Sequence, residues 1–162
     1  MDGVTIRPAE TEESETVTAL WVGLAADQRD YSSHLLPDGN RQQIRETIVR
    51  HIVSNTLLVA DDDGIVGFVM FTMEKGSYEQ DITRGIVENI YVEPAHRDSG
   101  LGERLLTAAE AKLKQRGAET IALEVMADNE DARRFYQRLG YKPHRVELEK
   151  PVQSDTHSKG DE

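Results

Sequence analysis

Between Gly85 and Arg116 an apolar strand pattern gives way, through a proline and a short glycine-containing turn, to a helical pattern, and this junction restricts the chain to folds in which a helix packs on a sheet. The strand side reads Gly85-Ile86-Val87-Glu88-Asn89-Ile90-Tyr91-Val92 and ends just before Pro94. The helix side, Gly100 to Arg116, carries Leu101, Leu105, Ala108, Ala109 and Leu113 on one face, with Gly117 just beyond its end. Arg97-Asp98-Ser99-Gly100-Leu101-Gly102 joins them. A helix start exposes unpaired N–H groups and the positive end of its dipole, so this turn suits an anion such as a pyrophosphate, with Arg97 as an added cation. A simple tight turn with a glycine-tolerant cap is the alternative. Two familiar phosphate loops are excluded: Leu105 stands where a G-x-G-x-x-G fingerprint needs its third glycine, and Glu103 stands where a P-loop needs lysine.

The rest of the chain alternates in the same way. Val4 to Arg7 has period two and is stopped by Pro8, as an edge strand would be. From Glu12 a helix follows through Val17, Leu20, Trp21, Leu24 and Ala25, with Ser14 or Thr11 as its cap. Asp27 to Asn40 has no clear period and reads as a loop or short helical turn. Arg41 to Val53 is helical through Ile44, Ile48, His51 and Ile52. Thr56 to Ala60 and Ile65 to Phe71 flank Asp61-Asp62-Asp63-Gly64, a hairpin signal. Thr120 to Met126 is a predicted strand, Asn129 to Leu139 a helix stopped by Gly140, and Tyr141 to Leu148 a last strand. The order β-α-α-β-β-β-α-β-α-β implies an α/β (α+β) domain over residues 1–150, with a mixed, mostly antiparallel sheet flanked by helices. Residues 151–162 form a polar, frayed tail.

At 162 residues one core fills one domain. A net charge of −11 argues against a nucleic-acid partner, which needs a basic patch. Adaptation to high salt and an ordinary acidic surface both remain open as its cause. No cysteine is present, which removes thiolate chemistry and cysteine-ligated metals. The five histidines show no metal-ligand spacing, so no metal is expected. Nothing reads as a signal peptide, and no apolar run nears the roughly 20 residues that span a bilayer, so a cytoplasmic protein without a membrane partner is expected.

Glu88 to Pro94 followed by Arg97-Asp98-Ser99-Gly100-Leu101-Gly102 resembles the Q/R-x-x-G-x-G/A signature of the GNAT acetyltransferase superfamily. A second block, Asn129 to Tyr141, is similar to that family's N-x-x-A-x-x-F-Y-x-x-x-G-F/Y segment. The resemblance implies a single GNAT-like domain that moves an acetyl group from acetyl-CoA to a primary amine by direct attack in a ternary complex. It implies that backbone amides over Arg97, Asp98, Ser99, Gly100, Leu101 and Gly102 hold the coenzyme A pyrophosphate. Ile90, Tyr91 and Val92 would bond the pantetheine arm, and Asn129, Ala132 and Tyr136 would also contact the coenzyme. Asp98 departs from the glycine or basic residue that many members carry.

Aminolysis of a thioester needs a proton acceptor, an oxyanion donor and a donor to the leaving thiolate. By position in the resemblance, Glu88 is the general base, Tyr136 the donor to sulfur, and the N–H groups near Ile90 to Val92 the oxyanion contact. Each has a plainer alternative. Glu88 on the solvent face of its strand would be a surface carboxylate, with Glu124 the second choice of base; Tyr136 would be a core aromatic; Asn129 would cap its helix. Tyr31 and His34, in the irregular segment, are placed by the resemblance on the acceptor wall. The acceptor is a small-molecule or peptide amine, longer acyl groups stay possible, and a homodimer through the last strand is allowed. The alternative function is a regulatory module that binds coenzyme A or acetyl-CoA without transferring.

Overall fold

The computed structural model describes residues 3–76 and 78–152. Five strands, β1 (Thr5–Pro8), β2 (Leu57–Asp61), β3 (Ile65–Met73), β4 (Arg84–Val92) and β5 (Thr120–Leu123), lie in the order β1-β2-β3-β4-β5. Every pairing is antiparallel except β4 with β5. Helices α1 (Ser14–Arg29) and α2 (Arg41–Val53) cover one face, and α3 (Leu101–Gln115) and α4 (Glu130–Arg138) the other. The apolar stripes read from the sequence are the buried ones. Val17, Leu20, Trp21, Ala25 and Ile48 meet Leu57, Val59, Phe68 and Met70 on the first face. Leu101, Leu105, Leu106, Ala109 and Leu113 meet Leu58, Val69, Phe71 and Val87 on the second. Alternate residues of β3 therefore serve two cores.

The β2–β3 turn follows its sequence signal. Asp63 and Gly64 both have positive φ, +57° and +132°. Asp61 Oδ1 accepts from Gly64 N–H at 3.0 Å, as a short acidic side chain does in such a turn. Helix α1 departs from its sequence reading at the start, because neither Ser14 nor Thr11 caps it. A single 3-10 turn, Thr11–Glu13, leads in, and Glu13 accepts from Glu10 N–H at 2.9 Å while Arg7 holds its carboxylate.

The predicted last strand, Tyr141 to Leu148, does not form, and β5 stops at Leu123 rather than Met126. Pro143 lacks a ladder donor, and Val146 and Leu148 are 74 % and 89 % exposed, so pairing here would bury no apolar face to offset the ordering of the chain. Of the predicted tail, Pro151 and Val152 are in neither helix nor strand, and residues 153–162 lie outside the described residues. No helix among the described residues is long and apolar enough to cross a membrane.

Gly67 sits where β3 crosses Val92 of β4. A Cβ built there would stand 2.7 Å from the Tyr91 carbonyl oxygen and 3.3 Å from Leu105 Cδ1. Backbone cannot step aside as a flexible side chain can. Gly67→Ala is expected to cost about 1–3 kcal/mol in urea unfolding, the range for overpacked cores; an unchanged midpoint would show that the strands part freely here.

Candidate functional site

β4 carries an irregularity at its middle. Its register with β3 runs Met70↔Asn89 and then Phe71↔Val87, so Glu88 is an extra residue opposite nothing. Such a bulge bends a strand and re-aims a side chain. The parallel ladder to β5 also ends there: Arg84 through Val87 pair with Thr120 through Leu123, and from Glu88 onward that edge of β4 has no partner strand. The sheet therefore opens at the residue that carries the carboxylate.

Glu88 turns toward α2. Its Oε1 lies 3.0 Å from His51 Nε2, with the two side chains 38 % and 14 % exposed. His51 Nδ1 lies 2.7 Å from the hydroxyl of buried Thr56. The sequence reading set the histidines aside for want of ligand spacing, yet His51 stood in the inward stripe with Ile44, Ile48 and Ile52. A histidine on an otherwise apolar helix face was the available signal that it had a buried partner.

The β4–α3 junction turns through left-handed backbone into the start of α3. Asp98 and Gly100 both have left-handed backbone, φ +63° and +85°. A Cβ at Gly100 would meet nothing within 4 Å, so the conformation, not crowding, calls for glycine. Gly100 offers no side chain to cap α3, and the helix ladder begins with Arg104 N–H to Gly100 O at 3.1 Å. The N–H groups of Leu101, Gly102 and Glu103 precede that first bond and point out of the helix start. Gly102 lies under Phe135 of α4, 3.6 Å from a built Cβ. Ser99 donates its hydroxyl to His96 O at 2.7 Å.

Arg97 is turned away from this junction, which corrects its reading as the added cation. Its Nε donates to Val92 O at 2.7 Å, its Nη2 to Asp27 Oδ2 at 3.0 Å, and its guanidinium lies 5.2 Å from the Tyr91 ring centroid. Arg97 thus ties α1 to the end of β4. Tyr91 is pressed against α1, its Oη 2.9 Å from a Cβ built at Gly23, and burial pushes its phenol up. Ile90 and buried Val92 pack toward α3.

On the α3 face Tyr136 is half-buried between Phe135 and Tyr141, with ring centroids at 5.2 and 5.9 Å. Burial pushes its phenol up to about 12. Tyr141 donates to Glu110 at 2.5 Å and is raised by burial and by that carboxylate. Asn129 caps α4, accepting from Ala132 N–H at 3.1 Å. Glu88 and Tyr136 lie on opposite sides of the sheet, Glu88 toward α2 and Tyr136 in the α3-side core.

The α1–α2 loop closes the other side. Ser32 donates to Asp128 at 2.7 Å and exposed His34 lies 3.0 Å from Glu149, while Tyr31 lies half-buried within the turn after α1. Glu124, exposed, follows β5 directly. A separate cleft of about 510 Å³ beside β1 is lined by Arg7, Glu12, Glu13, Thr16, Asp61, Asp63, Gly64 and Ile65, none of them a predicted site residue.

Comparisons with known proteins follow these elements. Aminoalkylphosphonate N-acetyltransferase of Salmonella typhimurium is 29 % identical over 137 residues, 85 % of this chain and 84 % of that one. The catalytic subunit of the N-terminal acetyltransferase A complex of Arabidopsis thaliana is 39 % identical over 103 residues, and the match spans about half of that protein, 52 %, and 60 % of this chain. The crystal structure of the PaiA N-acetyltransferase of Thermoplasma acidophilum superposes with a TM-score of 0.73 at 20 % identity, covering 89 % of this chain and 92 % of that one, a likeness of fold. The profile of the acetyltransferase (GNAT) family matches residues 21–141. That span takes in the β4 bulge, the β4–α3 turn and α4 together, and the chain belongs to the acetyltransferase (GNAT) family.

Proposed function

We propose that the protein transfers an acetyl group from acetyl-CoA to a primary amine, with Glu88 as the general base. One observation carries this: the bulge that exposes Glu88 is also the point at which β4 loses its β5 partner, so a carboxylate and an open strand edge coincide. The residues suit the coenzyme. Left-handed backbone at Asp98 and Gly100, followed by the uncapped start of α3, supports a seat of N–H groups for the pyrophosphate. The free edge over Ile90 to Val92 suits the amide-bearing pantetheine arm, although Val92 O already accepts from Arg97. The Thermoplasma relative was solved in complex with coenzyme A.

When bound, acetyl-CoA supplies the activated carbonyl and a thiolate leaving group. Glu88 takes the proton that the attacking amine gives up, so nitrogen keeps its electron pair for the new C–N bond. Backbone N–H groups near Ile90 to Val92 receive the charge that grows on the carbonyl oxygen. Tyr136 remains protonated, because a phenol near 12 cannot release its proton fully to a thiolate whose conjugate thiol has a pKa of roughly 8.5. Its role is a hydrogen bond to sulfur as the C–S bond breaks. The acceptor enters past the α1–α2 loop, where Asp128 and Glu149 make the wall acidic and suited to a cationic amine. Tyr31 and His34 stand on that wall.

Acetyl-CoA at about 100 times its Kd should add about 2.7 kcal/mol to stability, a visible melting shift that NADH should not give. Thiol release is then followed with 2-aminoethylphosphonate, spermidine and an unblocked peptide. No stabilisation by acetyl-CoA refutes the proposal; stabilisation without transfer to any amine points to a regulatory binder. Tyr136→Phe is expected to lower kcat by roughly 10- to 100-fold with little change in the KM for acetyl-CoA, the worth of one hydrogen bond to a charged group. An unchanged kcat removes Tyr136 from the reaction.

A further inference from the structure

We propose that His51 is a positioning residue for Glu88, whose carboxylate sets the tautomer of the ring while Thr56 partners its other nitrogen; the inference rests on Glu88 being the base. His51 spans two strands. Thr56, immediately before β2, accepts from Phe71 N–H at 3.1 Å through its carbonyl, and Phe71 in turn pairs with Val87 beside the bulge. The imidazole reaches from Thr56 on one side to Glu88 on the other, joining α2 to the open point of the sheet.

The partners set the protons. At 3.0 Å a bare ring lone pair on Nε2 would face the lone pairs of Glu88 Oε1, so beside an ionised carboxylate this contact favours a proton on Nε2. In the neutral ring Nδ1 is then the acceptor, and the Thr56 hydroxyl at 2.7 Å supplies its one proton there. The hydroxyl also lies 3.2 Å from His51 O, the partner to which it turns if the ring takes a second proton. Either way Nε2 keeps its proton toward Glu88. Glu88 Oε1 is set by that 3.0 Å contact, while Oε2 has no charged partner among the described residues and is left for the amine proton. The difference in exposure agrees: Glu88 is the outer member and His51 the inner one.

A side chain that acts only through Glu88 has a signature in double mutants. His51→Phe, which keeps a flat ring and removes the donor, should lower kcat between about ten- and a hundredfold, as small misplacements of a reacting group do, with the KM for acetyl-CoA unchanged. In the Glu88→Gln background the same substitution should cost nothing more. His51→Gln, which retains an N–H donor, should recover part of the loss, and Thr56→Val should fall in the same direction by less. Nitrogen-15 spectra of the wild-type ring, which need no acceptor, should give the Nε2–H tautomer. The proposal is overturned by an Nδ1–H neutral ring, by an unchanged kcat in His51→Phe, or by an equal loss in both backgrounds. Failure of the underlying reading looks different: Glu88→Gln itself would then turn over at the wild-type rate.

Discussion

Glu88→Gln is expected to lower kcat by about 10²- to 10⁴-fold, the usual contribution of a positioned general base, while leaving the KM for acetyl-CoA and the melting temperature nearly as they were. Glutamine has the shape of glutamate, and its Oε1 can still lie against His51 Nε2, so neither the bulge nor the contact to α2 is lost. Only the capacity to take a proton disappears. Steady-state kinetics with thiol detection measures the effect directly. A wild-type kcat would remove Glu88 as the base, and exposed Glu124 just past β5 would be the next residue to replace.

Phe71→Ala is expected to cost about 3–5 kcal/mol, the range for deleting a fully buried aromatic side chain. At this chain length each kcal/mol moves the melting temperature by roughly 2–4 °C, so a fall on the order of 10 °C follows. Phe71 is 0 % exposed and lies in the core under α3, opposite Val87 and next to the bulge. Its backbone N–H, which alanine keeps, donates to Thr56 O, so the cost is that of the emptied core. Thermal unfolding followed by circular dichroism checks the shift. A change of only a degree or two would mean that the α3 face collapses around the gap, and that the bulge is not held by packing from that side.

These two substitutions separate what a local pattern can reveal from what it cannot. The hairpin at Asp61 to Gly64, the stripe of α3 and the turn Arg97 to Gly102 were legible because each is decided within a few residues, by helical or strand spacing and by where glycine is needed. The two motif blocks, Glu88 to Gly102 and Asn129 to Tyr141, carried the family for the same reason: the helix-start geometry at Gly100 and the Asn129 cap are short-range. Arg97 was misread as a cation for the β4–α3 turn, because its partner Asp27 lies in another helix.

Sequence by itself determined the order of elements as far as α4, the apolar faces that the helices bury and the glycine-bearing turn between β4 and α3, since hydrophobic spacing and glycine act over one or two turns of chain. Tertiary structure decided the rest. Whether Tyr141 to Leu148 forms a strand depends on a partner edge and a face to bury, neither of which the segment carries in itself. The bulge at Glu88 is a matter of register, and register exists only between two strands. His51 and Glu88 meet because α2 lies across the sheet, a contact that no spacing along the chain encodes.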